Sequence, residues 1–272
     1  MSSVPFYDSA GRRTGMIAEL RELIRYQDLL KLLVSQITKN RYKRSSLGVV
    51  WTLLNPLISM IVLTVAFSTV FKTTAAYPVY LLSGLICWNF FSQTTIYSMG
   101  SLLWGGALIK RVYVPCTIFG VASVTNNLAN LGFSVIPLVL IMVVLRQPFH
   151  ATWWFVPIAV LLLAAFTLGM TLLMSTLAVF FGDVVEMFQL ILQSWFFLTP
   201  IMYPLNVLPE RYQRFMVLNP MYHMVEIFRA PIITGELPAL HHLVWAAGWA
   251  GFTLLFGWWT ITRKANEFAY RL

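Results

Sequence analysis

Residues 41–56 read Arg41-Tyr42-Lys43-Arg44-Ser45-Ser46-Leu47-Gly48-Val49-Val50-Trp51-Thr52-Leu53-Leu54-Asn55-Pro56, and this order decides how the chain is read. Three cations, Arg41, Lys43 and Arg44, stand at the mouth of an apolar run that continues to Phe71. Cations flanking a span are retained on the cytoplasmic side, so the junction sets the direction of threading. Trp51 follows within about two turns, at the depth where an indole bridges headgroups and hydrocarbon. Asn55-Pro56 interrupts the hydrogen-bond ladder early in the span and predicts a kink.

Outward from this junction the composition agrees. Apolar residues make up 58% and charged residues 11% of the chain, and the mean hydropathy is +0.73, which excludes an ordinary soluble domain. The net charge of +9 would suit a nucleic-acid binder, but the distribution of the cations favours a membrane. Nine Lys/Arg precede residue 45, two are Lys110 and Arg111, and three are Arg263, Lys264 and Arg271. The remaining five (Lys72, Arg146, Arg211, Arg214, Arg229) fall in the alternate loops. This asymmetry predicts both termini in the cytoplasm. Cys87 and Cys116 lie in or beside spans at opposite ends, so no disulfide framework is expected. The first 44 residues hold no long apolar core, and the first span is expected to act as the insertion signal.

From Ile17 to Ile37 the pattern is helical. Leu20, Leu23, Ile24, Leu30, Val34 and Ile37 make one apolar face, while Glu22 with Arg25 and Asp28 with Lys31 pair at i,i+3. Such a helix lies along the membrane interface or packs as a solvated helix on the protein. Six apolar segments follow, at 46–71, 78–103, 115–145, 153–181, 185–204 and 241–262, each near the ~20 residues that cross a bilayer. Residues 201–238 are apolar but broken by Pro204, Pro209, Pro220, Pro231 and Pro238, which predicts two short helices at 207–218 and 220–233. Half-helices that dip into a bilayer must be buried in protein or line a cavity; a folded cap outside the membrane is the other reading. The fold class expected is an all-α membrane protein: an N-terminal amphipathic helix, six transmembrane helices, and re-entrant outer helices between spans 5 and 6. Residues 1–44 form the cytoplasmic segment and 45–272 the spanning domain.

Catalytic chemistry is scarce. The chain has no Gly-x-x-x-x-Gly-Lys-Ser/Thr and no Gly-x-Ser-x-Gly. His150, His223, His241 and His242 have no partners at metal-ligand spacing and read as surface or interfacial residues. The spans carry almost no ionisable group, which argues against proton- or sodium-coupled transport. No cofactor is expected in this chain. Three helices carry amides at i,i+4, Asn89 with Gln93, Asn126 with Asn130, and Gln189 with Gln193. They either bond neighbouring helices or line a pathway suited to a sugar chain. Aromatics such as Trp88, Phe90, Phe91, Tyr97, Trp195 and Phe196 could let sugars slide, or form lipid-facing and interface belts.

Two blocks of sequence resemble a known family. Arg41-Tyr42-Lys43, Leu47-Gly48, Trp51 and Asn55-Pro56 form the first. Phe180-Phe181-Gly182-Asp183-Val184, Pro200-Ile201-Met202-Tyr203-Pro204, Leu208-Pro209, Asn219-Pro220 and Arg229 form the second. Together they resemble type-2 ATP-binding-cassette export permeases, in the branch that moves polysaccharides and teichoic acids. Gly182 departs from the pattern, since relatives often carry Arg there. The resemblance implies a homodimer joined to two copies of a separate ATPase, which binds ATP and Mg, with a lipid-linked glycan (O antigen, teichoic acid or capsule) as cargo in a bacterial inner membrane. It implies ATPase coupling at Gly106, Leu108, Ile109, Lys110 and Arg111, a stretch that otherwise reads as an ordinary positive-inside loop; Asp183 and Glu186, acidic at a cytoplasmic boundary, meet the ATPase or the Arg41–Arg44 cluster. It implies an outer gate containing Met202, Tyr203, Asn219, Pro220, Glu226 and Arg229. Arg41, Tyr42, Lys43, Arg44 and Trp51 are candidates for the cytoplasmic mouth, where cations attract a lipid-carrier phosphate. A permease for drugs or small lipids, and a membrane-embedded lipid or sugar transferase, are the other classes left open.

Overall fold

Extended backbone at Lys43, Phe181 and Thr199 ends three of the helices. The computed structural model describes residues 16–43, 48, 50–67, 76–106, 109 and 114–271, side chains at 16–18, 41, 42, 266 and 269 excepted. Among the described residues lie ten α-helices and no strand. They are α1 (Met16–Arg25), α2 (Gln27–Tyr42), α3 (Val50–Phe67), α4 (Tyr77–Trp104), α5 (Thr117–Val144), α6 (Val156–Phe180), α7 (Val184–Leu198), α8 (Glu210–Met216), α9 (Pro220–Ile233) and α10 (Leu240–Arg271). A 3-10 turn, Ala151–Phe155, leads into α6. The helices α3, α5 and the Ala151–Phe180 unit are long and apolar enough to cross a membrane. With 28 and 32 residues, α4 and α10 have the length as well.

α4 is the central post, packed against α3, α5, α6, α7 and α9 and buried along most of its length. The closest pair is α6 with α10, and two glycines allow it. A Cβ on Gly169 would lie 2.2 Å from the Thr253 carbonyl carbon, and one on Gly257 would lie 2.1 Å from Gly169 O. Lipid offers no hydrophobic drive between helices, so close backbone approach is how such pairs gain contact. α3 continues through Pro56. That proline withholds the N–H which would bond the Thr52 carbonyl; Ser134 of α5 donates to it instead, at 3.4 Å.

Three expectations change. The N-terminal helix is two helices, because Tyr26 (φ −92, ψ 25) breaks the run. Leu20 and Ile24 remain exposed, whereas Ile37 is buried; the bend turns the two halves separately onto the bundle. The fifth apolar segment is helical only to Leu198, 15 residues. Thr199 precedes Pro200 and is held extended (φ −96, ψ 132), as the clash with a following proline ring demands. Residues 201 and 202 are then buried as a turn rather than as helix. Finally, Trp88, Phe90 and Phe91 are 6%, 4% and 0% exposed. Trp88 and Phe91 pack against each other and against Trp195, Phe196 and Phe166, ring centroids 5.3–6.1 Å apart. Most of the aromatics that could have formed a sliding surface instead stack on one another.

Candidate functional site

A cleft of about 390 Å³ opens between α3, α4 and α5. α4 contributes Asn89 and Gln93, one turn apart on one face. α5 contributes Asn127, Asn130 and Ser134, and α3 contributes Trp51, Thr52 and Asn55. The floor is apolar, with Ile86, Phe90 and Leu131. Among the described residues, no charged side chain lines it.

Of the amides expected along a pathway, Asn89, Gln93 and Asn130 meet here. Asn126 does not: it turns to α2, where its Oδ1 accepts from the Thr38 hydroxyl at 2.8 Å. The α5 face in the cleft is 127, 130 and 134, one residue round from the predicted one. Asn130 Nδ2 donates to Asn127 Oδ1 at 3.1 Å, and Asn127 Nδ2 donates to Ser123 O at 3.1 Å. Gln189 and Gln193 are exposed on α7 and take no part in the cleft. Asn55, Asn127 and Ser134 were missed. The signal for Asn127 was its i,i+3 spacing to Asn130 and i,i+7 spacing to Ser134.

At the end of the bundle away from α1 and α2, Arg229 holds the gate candidates together. It is 3% exposed, and its guanidinium carbon lies 3.6 Å from the Tyr80 ring centroid. Nη1 donates to Pro200 O (3.2 Å) and Glu226 Oε1 (3.1 Å). Nη2 donates to Tyr80 O (3.3 Å) and Ile201 O (3.4 Å), and Nε to Ser83 Oγ (3.4 Å). All three nitrogens are engaged, so this arginine is a clamp between α4, α9 and the 200–203 turn. Gly84 is required beneath it: a Cβ there would stand 2.7 Å from Nη2. Tyr77 and Tyr80 add hydroxyl donors to Met202 O (2.9 Å) and Tyr203 O (3.0 Å). Asn219 caps α9, accepting from Met221 N (3.1 Å) and Trp195 Nε1 (2.9 Å) and donating to Thr199 Oγ1 (3.1 Å). It thereby joins the end of α7 to the start of α9, with Pro220 as the first helical residue.

The histidines are not all superficial. His223 is fully buried, its Nε2 2.8 Å from Val217 O and its Nδ1 2.9 Å from His242 Nδ1. A carbonyl only accepts, so His223 Nε2 carries the proton; the neutral pair then has His242 Nδ1 donating. The two lie on different helices, and no local spacing announces them. Among the described residues no group of three His, Cys, Asp or Glu could hold a metal.

At the opposite end, Glu19 of α1 is 8% exposed and accepts from Thr262 of α10 at 2.5 Å. Burial raises its pKa above the ordinary 4.5, opposed by hydrogen bonds from Thr262 and from Thr117 at the start of α5. Lys31 and Asp28 form the expected pair at 3.1 Å. Gly106 is buried and Ile109 half-buried, while Asp183 and Glu186 are exposed and make no ion pair among the described residues. Lys43 is exposed and Trp51 is 51% exposed. Arg44, Leu108, Lys110 and Arg111 lie outside the described residues, as do the side chains of Arg41 and Tyr42.

The described residues make an all-helical bundle with long apolar spans, a buried arginine clamp and a polar cleft, the architecture of an all-α membrane protein. The family described as ABC-2 type transporter matches residues 28–233, and the chain belongs to it. It is 32% identical over 228 residues to the O-antigen export system permease protein RfbA of Myxococcus xanthus, covering 82% of this chain and 87% of that one. A permease of the same description from Klebsiella pneumoniae is 27% identical, over 77% of this chain and 82% of its own. The polysialic acid transport protein KpsM of Escherichia coli is 24% identical, over 80% and 86% respectively.

Proposed function

We propose that this chain is the permease subunit of an ATP-driven exporter that carries lipid-linked polysaccharide from the cytoplasmic to the outer side of a bacterial inner membrane. It works as a homodimer with two copies of a separate ATP-binding-cassette ATPase, and both termini are cytoplasmic. The observation that carries the reading is the cleft: helices α3 to α6 contain no Asp, Glu, Lys, Arg or His, and α3 to α5 line the cleft with amides and hydroxyls. A carrier driven by protons or sodium needs ionisable groups in its spans. Spans without them take their energy from a partner, and a cleft lined by amides and hydroxyls handles a polar cargo. The names of the relatives, O-antigen export permeases and a polysialic acid transport protein, support a polysaccharide cargo.

In this reading residues 1–44 are the cytoplasmic segment and 45–272 the permease domain. Gly106, Leu108, Ile109, Lys110 and Arg111 dock on the ATPase, with Asp183 and Glu186 at its rim. Arg41, Lys43 and Arg44 attract the carrier phosphate beside Tyr42 and Trp51. Met202, Tyr203, Asn219, Pro220, Glu226 and Arg229 close the outer side. Closure of the ATPase pair around ATP moves the coupling segments and the N-terminal helices, opening a path between protomers.

The test is ATPase activity of the chain co-purified with its ATPase, with and without lipid-linked glycan. Glycan stimulates hydrolysis in the wild type, and Leu108→Asp/Ile109→Asp abolishes the stimulation. A complex that never forms, or one indifferent to glycan, overturns the proposal.

A further inference from the structure

We infer that the cleft between α3, α4 and α5 is a subsite for a single uncharged sugar unit, built within one protomer; this deepens the export reading and rests on it. Four observations converge on that chemistry. Among the described residues the wall combines carboxamides and hydroxyls with no charge of either sign. A phosphate or carboxylate would require cations, and a metal ion or proton would require carboxylates or imidazoles. A neutral polyol requires neither and matches groups that both donate and accept.

Second, the amides of Asn55 and Asn89 take part in no hydrogen bond among the described residues, although they lie on helices that cross the membrane. Polar groups at that depth need a partner, because hydrocarbon supplies none. Third, Trp51 stands half-exposed at the rim. Its indole gives a flat apolar face to the C–H side of a sugar ring, while Asn55, one turn on, reaches the hydroxyls. Fourth, the cleft's size falls within the roughly 300–1,000 Å³ of small-ligand sites.

The subsite has an approach. Asn89 and Gln93 continue along the same face of α4 into Tyr97 and Ser101, twelve residues or about 18 Å in all. Tyr97 and Ser101 line a second cavity of about 430 Å³, shared with Gln36 and Asn40 of α2. On α5 the second cavity takes residues 119 and 122 and the cleft takes 127 onward. The Thr38–Asn126 hydrogen bond lies between them. A glycan strand laid along α4 would pass the α2 helix at that bond before its sugar reaches the cleft.

The test places p-benzoylphenylalanine at position 58, replacing Ile58 on the cleft wall, in the full chain with its ATPase, in cells that make the glycan. Irradiation is followed by periodate-based carbohydrate staining of the chain. We expect a carbohydrate adduct, which Asn55→Ala/Asn89→Ala lowers together with surface glycan. At roughly five-fold per lost hydrogen bond, the adduct falls about twenty-five-fold at equal membrane abundance. Should the double variant fail to accumulate, Asn55→Ala and Asn89→Ala are read singly, each against a five-fold expectation. An adduct with a second copy of the chain in place of carbohydrate would make the cleft a seam between copies and overturn the subsite. Undiminished export with no carbohydrate adduct would overturn it too, leaving the export reading standing. Deleting the chain separates the two: surface glycan that survives deletion refutes export itself.

Discussion

Removing the Arg229 guanidinium should loosen the joint between α4, α9 and the 200–203 turn, and the structure gives the size of the effect. Of the five acceptors, Tyr80 O retains the Ser83 hydroxyl, and Pro200 O can take the Tyr80 hydroxyl only when it leaves Tyr203 O. Glu226 is 27% exposed at its side chain and rehydrates. Ile201 O has no second hydrogen-bond donor among those above and is fully buried, and the Tyr80 ring loses its cation. One stranded carbonyl, the lost Glu226 hydrogen bond and a cavity come to about 3 kcal/mol. Cys87 reports it. It lies one turn from Ser83 on α4 and is 0% exposed. In a Cys116→Ser background, thiol labelling of Cys87 in lipid nanodiscs measures how often that region opens. Arg229→Ala should raise the labelling rate about a hundred-fold, at 1.4 kcal/mol per factor of ten. Arg229→Lys should fall between, because one ammonium cannot span acceptors that three guanidinium nitrogens serve. Labelling within three-fold of wild type in Arg229→Ala would refute the clamp.

The α6–α10 contact makes a sharper steric prediction: Gly169→Ala forces a methyl against backbone at 2.2 Å. It should cost about 2–3 kcal/mol and lower Tm by roughly 5–10 °C, while Gly248→Ala, with nothing within 4 Å, should not. Equal Tm values would show that the helices can part freely. For Glu19 the folded pKa is raised by burial, so the docked α1 binds the proton more tightly than the free helix does. Docking is therefore strongest below the ordinary value of 4.5 and weakens as pH rises through the elevated one. Hydrogen exchange in residues 16–25, corrected for intrinsic rates, should lose protection with rising pH, and Glu19→Gln should flatten the profile. Parallel profiles would place the titration elsewhere.

Membrane residence, the number of long apolar segments and the pair of short helices after Pro204 are local properties of composition, and the chain carries them without reference to neighbours. The predicted 207–218 and 220–233 became Glu210–Met216 and Pro220–Ile233, because Pro209 stands at the N-cap of the first and Asn219 caps the second with Pro220 as its first residue. Family membership was legible for a related reason: its motifs are mostly Gly, Pro, Asn and aromatic residues, whose constraints are written into the backbone. Which amides share a wall was not legible. Asn126 and Asn127 differ by one residue and 100° of helix rotation, and only the placement of α2 sends the first to Thr38 and leaves the second in the cleft. The burial of His223, the five-acceptor setting of Arg229 and the Glu19–Thr262 bond are equally tertiary. They join residues up to 243 positions apart, at distances that no periodicity encodes. Sequence alone determined that this chain is a bundle of apolar helices broken at particular prolines. Packing decided which polar groups those helices hide, which they spend on one another, and which they leave open, since each choice depends on a neighbour's backbone approaching within a few ångströms.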